Sequence, residues 1–368
     1  MTHALPRDPS PFSRFRWLLC LLLSLTALTG CEPTRVRKNV KDLTAAEEKR
    51  DFVEAVLKLK QTPSPFDKQL SWYDQFVVFH KQVTRASISE HAQGHHNPAF
   101  LPWHRKLLML YEDALREVSG KPDLTLPYWD WTDPASTQAV FAEDFMGPGG
   151  SQEQGYAVLS GPFRKGAWTL NIKPEDPKNL ERAGKDTTWL VRALGVDSGN
   201  LDDRGEKLYS VRLPETRDVE RCLSVPTFDK APWDMYVSPD ESFRNCLEGF
   251  SGDKADPSQN MHNIVHDWVA GMFLLEGRIG YGSMEPLETS PNDPVFFLHH
   301  ANVDRLWAQW EARHPDAYEP NGEGQVGWNP EDTMYPFDQY ASAPEMTGRH
   351  DITLQSMLST KSLHYEYK

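Results

Sequence analysis

Histidines on apolar helix stripes constrain this chain more than any other feature. His262 and His266 stand four residues apart in a segment that also carries Val269 and Phe273. Both rings therefore leave one face of a helix toward a common point. His80 follows Trp72, Phe76 and Phe79, and His104 precedes Leu107, Leu108, Tyr111 and Leu115, each series at helical spacing. One histidine on an apolar face is ordinarily a hydrogen-bonded core residue. Several together need a partner, because a buried polar group without one costs roughly 1–3 kcal/mol. The same periodicity predicts helices over residues 44–60, with Thr44 and Glu47 as a capping box, and over 70–84 and 102–118. Two more start near Ser258 and at Asp293-Pro294, the latter an N-cap followed by proline, running to about Arg313. From about Gly120 to Pro257, Pro, Gly and Asp clusters break every period and predict long loops with a few short strands or helices. The expected fold is mainly α: an antiparallel four-helix bundle core with histidines turned inward, wrapped in irregular loops.

An internal repeat sharpens the choice of histidines. Pro98-Ala99-Phe100-Leu101-Pro102-Trp103-His104 and Pro294-Val295-Phe296-Phe297-Leu298-His299-His300 share the pattern Pro-x-Phe-x-x-x-His. The offset selects His300 over its neighbour His299. Of the thirteen histidines, most fall in two stretches, His80 to His104 and His262 to His300. His91, His314, His350 and His364 read as surface or loop residues. Zinc proteases place Glu after the first histidine of the i,i+4 pair, whereas Asn263 stands here. Carboxylate-bridged di-iron bundles need Glu-x-x-His pairs, which these helices lack. An all-imidazole environment suits copper, zinc, iron or nickel, with copper strongest in the affinity order. Two triads on four facing helices would place two metals in one core, able to hold a diatomic ligand between them.

The ends and the cysteines speak to location. Arg7, Arg14 and Arg16 precede an apolar run from Trp17 to Leu28, too short to span a membrane comfortably. Leu28-Thr29-Gly30-Cys31 resembles the lipobox of bacterial lipoproteins. That resemblance implies that residues 1–31 are a signal peptide, that Cys31 carries lipid, and that the protein is lipid-anchored in the bacterial cell envelope, facing the periplasm. Residues 32–42 then read as a short basic tether. With Cys20 in the signal, Cys222 and Cys246 remain: a disulfide, as an oxidising compartment favours, or two buried thiols. Lys and Arg number 39 against 53 Asp and Glu, so the net charge is 39 − 53 = −14. Nucleic acid is thereby excluded as a natural partner.

Two long segments match one family. His95 to His104, continued through Arg105, Leu108 and Glu112, resembles the copper A signature of tyrosinases and catechol oxidases. Asp293-Pro294-Val295-Phe296-Phe297-Leu298-His299-His300-Ala301-Asn302-Val303-Asp304 resembles their copper B signature. Tyr73-Asp74-Gln75-Phe76 and Leu126-Pro127-Tyr128-Trp129-Asp130-Trp131 also look like that family, over about Leu43 to Lys368. The resemblance implies copper A on His80, His95 and His104 and copper B on His262, His266 and His300, with dioxygen as co-substrate. It implies oxidation of catechols to o-quinones, and ortho-hydroxylation of monophenols. A catechol-only oxidase, an o-aminophenol oxidase and a haemocyanin-like dioxygen binder are the alternatives.

A phenol must first lose a proton whose pKa is about 10. In the family, an Asn after the first copper B histidine and an upstream Glu hold a water for this step; Asn263 and Glu248 match those positions. Asp304, one turn beyond His300, reads as a carboxylate supporting the helix, and Arg105 and Glu112 as a pair on one helix face. Gln93 stands where fungal members carry a cysteine cross-linked to a copper A histidine, so no thioether is expected. Tyr365-Glu366-Tyr367 resembles the tyrosine motif closing the family's core domain. No shielding domain is expected after it, and copper would come from free metal or a copper-loading helper protein. Acid should strip copper near and below pH about 6.5, as protons compete for the rings.

Overall fold

Helix ends in this protein have local causes. In the computed structural model, which describes residues 34–44, 47–85, 93–175, 187–202, 204–315, 317–318, 327–340 and 352–368, α1 spans Glu48–Gln61. Its entry is capped by Glu48 rather than Glu47: Thr44 donates to the Glu48 carboxylate from its N–H (2.8 Å) and its hydroxyl (3.0 Å). Helix α2, Trp72–Arg85, starts at Ser71, whose hydroxyl oxygen accepts from the Asp74 N–H. Helix α3, Phe100–Ser119, starts earlier than expected, because Pro102 lies in the first turn, where its missing N–H costs nothing. It stops at Gly120 in the left-handed region (φ 70°), which closes the last turn.

The stretch 120–257 is mostly loop, with short helices α4 (Pro134–Val140), α5 (Thr216–Leu223) and α6 (Phe243–Glu248). Cys222 of α5 and Cys246 of α6 are joined by a disulfide, their Cα atoms 5.5 Å apart. Helix α7, Met261–Ala270, runs into an antiparallel hairpin of β2 (Met272–Leu275) and β3 (Arg278–Tyr281). Helix α8, Val295–Glu311, has its first turn capped by Asp293, whose carboxylate accepts from the Val295 N–H at 3.0 Å. Both oxygens of that carboxylate are gripped by Arg192, at 2.6 and 2.7 Å, both side chains fully buried. A residue from the irregular stretch thus fixes where α8 begins.

Residues 34–368 form one compact unit. Helices α2, α3, α7 and α8 make its centre, with α1 against α2 and α3. Apolar side chains, including Trp103, Trp129, Trp168, Trp307 and Trp310, fill the space between them.

Two expectations are corrected here. Residues 35–42 are not a tether: Arg35–Arg37 is a strand, β1, paired in parallel with β4 (Tyr365–Tyr367), and Val40–Asp42 is a 3-10 turn. Arg37 is fully buried and bonds to both Glu112 and Asp304, which binds the segment to the core. Arg105 and Glu112 do not pair with each other, since i,i+7 spans two turns. Arg105 bonds to Asp304 and Glu311, whereas Glu112 meets Arg37 and Arg116. The expected signal peptide, residues 1–31 with Cys31, lies outside the described residues, as do His91 and His350.

Candidate metal centre

Seven buried imidazoles meet where α2, α3, α7 and α8 face one another. They form two groups, His80, His95 and His104, and His262, His266, His299 and His300, each able to bring its ligand atoms within 4.8 Å of one another. His80 comes from α2, His104 from α3, His262 and His266 from α7, and His299 and His300 from α8, whereas His95 comes from the loop before α3. The two repeats noted in the sequence converge here. His104 and His300 stack face to face, with centroids 4.2 Å apart and planes 12° from parallel.

The outer nitrogens decide how the inner ones are presented. Nδ1 of His80, His104 and His266 faces the carbonyl oxygens of Glu288 (3.5 Å), Phe100 (2.9 Å) and Met284 (2.8 Å). Nδ1 of His262 faces the Asn263 side-chain oxygen at 2.9 Å and the Glu248 carbonyl at 3.3 Å. Nδ1 of His95 lies 3.4 Å from the Glu248 carboxylate. Each neighbour is an acceptor, so each ring carries its proton on Nδ1 and turns a bare Nε2 inward. Together with Nε2 of His300, whose Nδ1 has no hydrogen-bond partner among the described residues, those Nε2 atoms approach closely: His80 to His95 at 3.2 Å, His262 to His300 at 3.3 Å and His262 to His266 at 3.1 Å. Facing lone pairs repel unless a cation lies between them. Nitrogens bound to one first-row ion at about 2.0–2.1 Å in tetrahedral array would sit about 3.3 Å apart. Spacing and donor set therefore fit copper.

Burial keeps the rings neutral. It lowers the pKa of His80 and His262 to about 3 and of His266 to about 4, and holds His95, His104, His299 and His300 well below the ordinary value. His299 behaves differently from His300. It stacks nearly parallel on His262 (4.9 Å, 19°) and against Trp131, and neither of its nitrogens has a hydrogen-bond partner among the described residues.

The tyrosinase family model, described as the common central domain of tyrosinase, matches residues 70–313, more than half of the chain. The chain belongs to the tyrosinase family. It is 37% identical to a tyrosinase of Streptomyces antibioticus over 313 residues, covering 84% of this chain and 94% of that one. It is 38% identical to grixazone synthase of Streptomyces griseus over 297 residues, covering 76% and 85%. Among solved structures, a polyphenol oxidase mutant (G292N) from Thermothelomyces thermophila shares the fold, with a TM-score of 0.56, 23% identity, and 91% and 89% of the two chains covered. Deoxygenated hemocyanin from Rapana thomasiana shares it at 0.54 and 22%, with 91% and 70% covered. As in the rest of the family, the cofactors are two copper ions and dioxygen is the co-substrate.

The remaining predicted residues surround the histidines. Glu248 is fully buried at the end of α6: one carboxylate oxygen accepts from the His96 N–H at 2.7 Å, the other from Arg244 at 3.1 Å. Asn263 is half-buried beside His262. Asp304 touches none of the histidines. It accepts from Arg105 (2.6 Å), Arg37 (3.1 Å), Tyr365 (2.6 Å) and Tyr367 (2.5 Å), tying α8 to α3, β1 and β4. Burial opposes ionisation of Asp304, and the two guanidiniums outweigh it, so its pKa is lowered. Sequence reasoning missed Arg37, Arg192, Asp229 and Arg244. Only Arg244 left a local signal, its i,i+4 spacing from Glu248.

Proposed function

We propose that this protein oxidises catechols to o-quinones and ortho-hydroxylates monophenols, with copper A on His80, His95 and His104 and copper B on His262, His266 and His300. The observation that carries the reading is the inward convergence of Nε2 atoms from two histidine groups, with an acceptor behind Nδ1 of His80, His95, His104, His262 and His266. Two coppers bound there supply the binding and reduction of dioxygen. The protein's own residues do the rest. Neutral rings remain available as ligands without a protonation cost at working pH. Stacked His104 and His300 keep the two halves in register. A monophenol's proton passes to a water held between Asn263 and the Glu248 carboxylate, supported by the half-buried position of Asn263 and the counter-charge that Arg244 gives Glu248. Cys31 carries lipid, placing the enzyme in the cell envelope, where the Cys222–Cys246 bridge is at home. A copper-loading helper delivers the metal.

Oxygen uptake by the copper-loaded protein, offered a simple monophenol and its matching catechol in parallel, tests this. Uptake with both is expected. Uptake with catechol alone would remove the Asn263–Glu248 water, and uptake with neither, despite two bound coppers, would overturn the reading.

A further inference from the structure

His95 differs from His80 and His104, its partners in the proposed copper A set, in two ways: it lies on a loop, and its Nδ1 faces a carboxylate instead of a carbonyl. We infer that Arg244, itself fixed by Asp229, is a positioning residue that holds the Glu248 carboxylate against His95 and so sets the copper A ligand that no helix carries. This inference rests on the reading of His95 as a copper ligand.

The side chains of the relay, Asp229, Arg244, Glu248 and His95, are all buried. Asp229 receives Arg244 Nε at 2.9 Å and Nη2 at 2.8 Å, while its other oxygen accepts from Ser242 (2.7 Å) and the Lys230 N–H (2.8 Å). With Asp229 unable to turn, Arg244 is aimed, and its Nη1 meets Glu248 at 3.1 Å while Nη2 donates to the Asp234 carbonyl at 3.0 Å. A buried carboxylate needs such a counter-charge to stay in place. The Glu248 oxygen facing His95 also takes the His96 N–H, at a residue with φ 67°, where side chains other than glycine rarely settle. The start of the loop is held separately. Gln93 donates to the carbonyls of Gly327 and Thr333, both at 2.8 Å, and accepts from the Tyr335 N–H at 2.6 Å. Backbone position thus comes from Gln93, and ring orientation and tautomer from Glu248. A carboxylate behind a ligating imidazole raises its basicity, and losing such a partner typically costs 10–100-fold in metal affinity.

The test is copper retention against a chelator in the full protein. Wild type should hold two coppers per chain. Arg244→Met and Glu248→Gln should each release one copper about tenfold faster or more, leaving a one-copper form visible as an uncoupled Cu(II) EPR signal. Arg244→Lys should fall between. Should Arg244→Met not fold, Asp229→Asn and the near-isosteric Glu248→Gln carry the test. Folded variants that keep both coppers at the wild-type rate would overturn the inference, as would loss of both coppers in step. A wild type that never binds two coppers would instead overturn the assignment of the site.

Discussion

Asp304 shows how much one carboxylate can organise. Four donors from three other elements converge on it, none of them a candidate ligand. Replacing it by alanine leaves two buried guanidiniums short of a counter-charge. Asp304→Ala should therefore cost about 3–5 kcal/mol in chemical denaturation, the range for breaking a buried pair. A loss below about 1 kcal/mol would show that Glu112 and Glu311 suffice for Arg37 and Arg105. At this scale the sequence was legible where chemistry is local. His262 and His266 are one helical turn apart, and the Pro-x-Phe repeat gives the same offset to His104 and His300, which stack on each other. Asp304 reads as a support from its place one turn beyond His300, yet its partners were hidden. Arg37 lies 267 positions away, and no period in a sequence links such residues.

Among elements, the helices bearing His80, His104, the His262–His266 pair and His300 were readable because each buries a continuous apolar stripe. The stretch between α3 and α7 was not, since its residues pack singly against distant elements, as Arg192 does on Asp293. The disulfide in that stretch gives a direct check. It joins α5 to α6, the helix that ends in Glu248, and closes a loop between positions 24 apart. In the chain-entropy model a loop of this size contributes about 3.5 kcal/mol. The double variant Cys222→Ser, Cys246→Ser should lower the free energy of unfolding by about that amount. A midpoint unchanged in urea would mean that packing around Phe243 and Trp310, stacked 4.6 Å apart, already fixes α6.

Over the whole molecule, burying so many neutral histidines ties stability to pH. Unfolded histidines take up protons near their ordinary pKa of about 6.5, whereas His80 and His262 in the folded protein resist until about 3 and His266 until about 4. The unfolded state therefore binds more protons across that window. Stability is intact above about pH 6.5 and falls progressively toward pH 3–4, by up to about 1.4 kcal/mol per pH unit for each histidine. On this account protons should reach the rings through unfolding, whereas direct competition for the ligands would strip copper near pH about 6.5 without it. Copper release and loss of helical circular dichroism should coincide on acidification. Copper leaving near pH 6 with the helices intact would disprove it.

The parallel pairing of β1 with β4 has a consequence for biogenesis. Asp304 gains Tyr365 and Tyr367 only after some sixty further residues have followed it, and gains Arg37 from the far beginning of the fold. A ribosome or translocon feeding this chain out in order cannot deliver a finished centre piece by piece. The helix bearing His300 lacks its two tyrosine anchors until residue 367 has emerged, so completion of the domain comes after translation of that segment, and metal capture by a settled site comes after that.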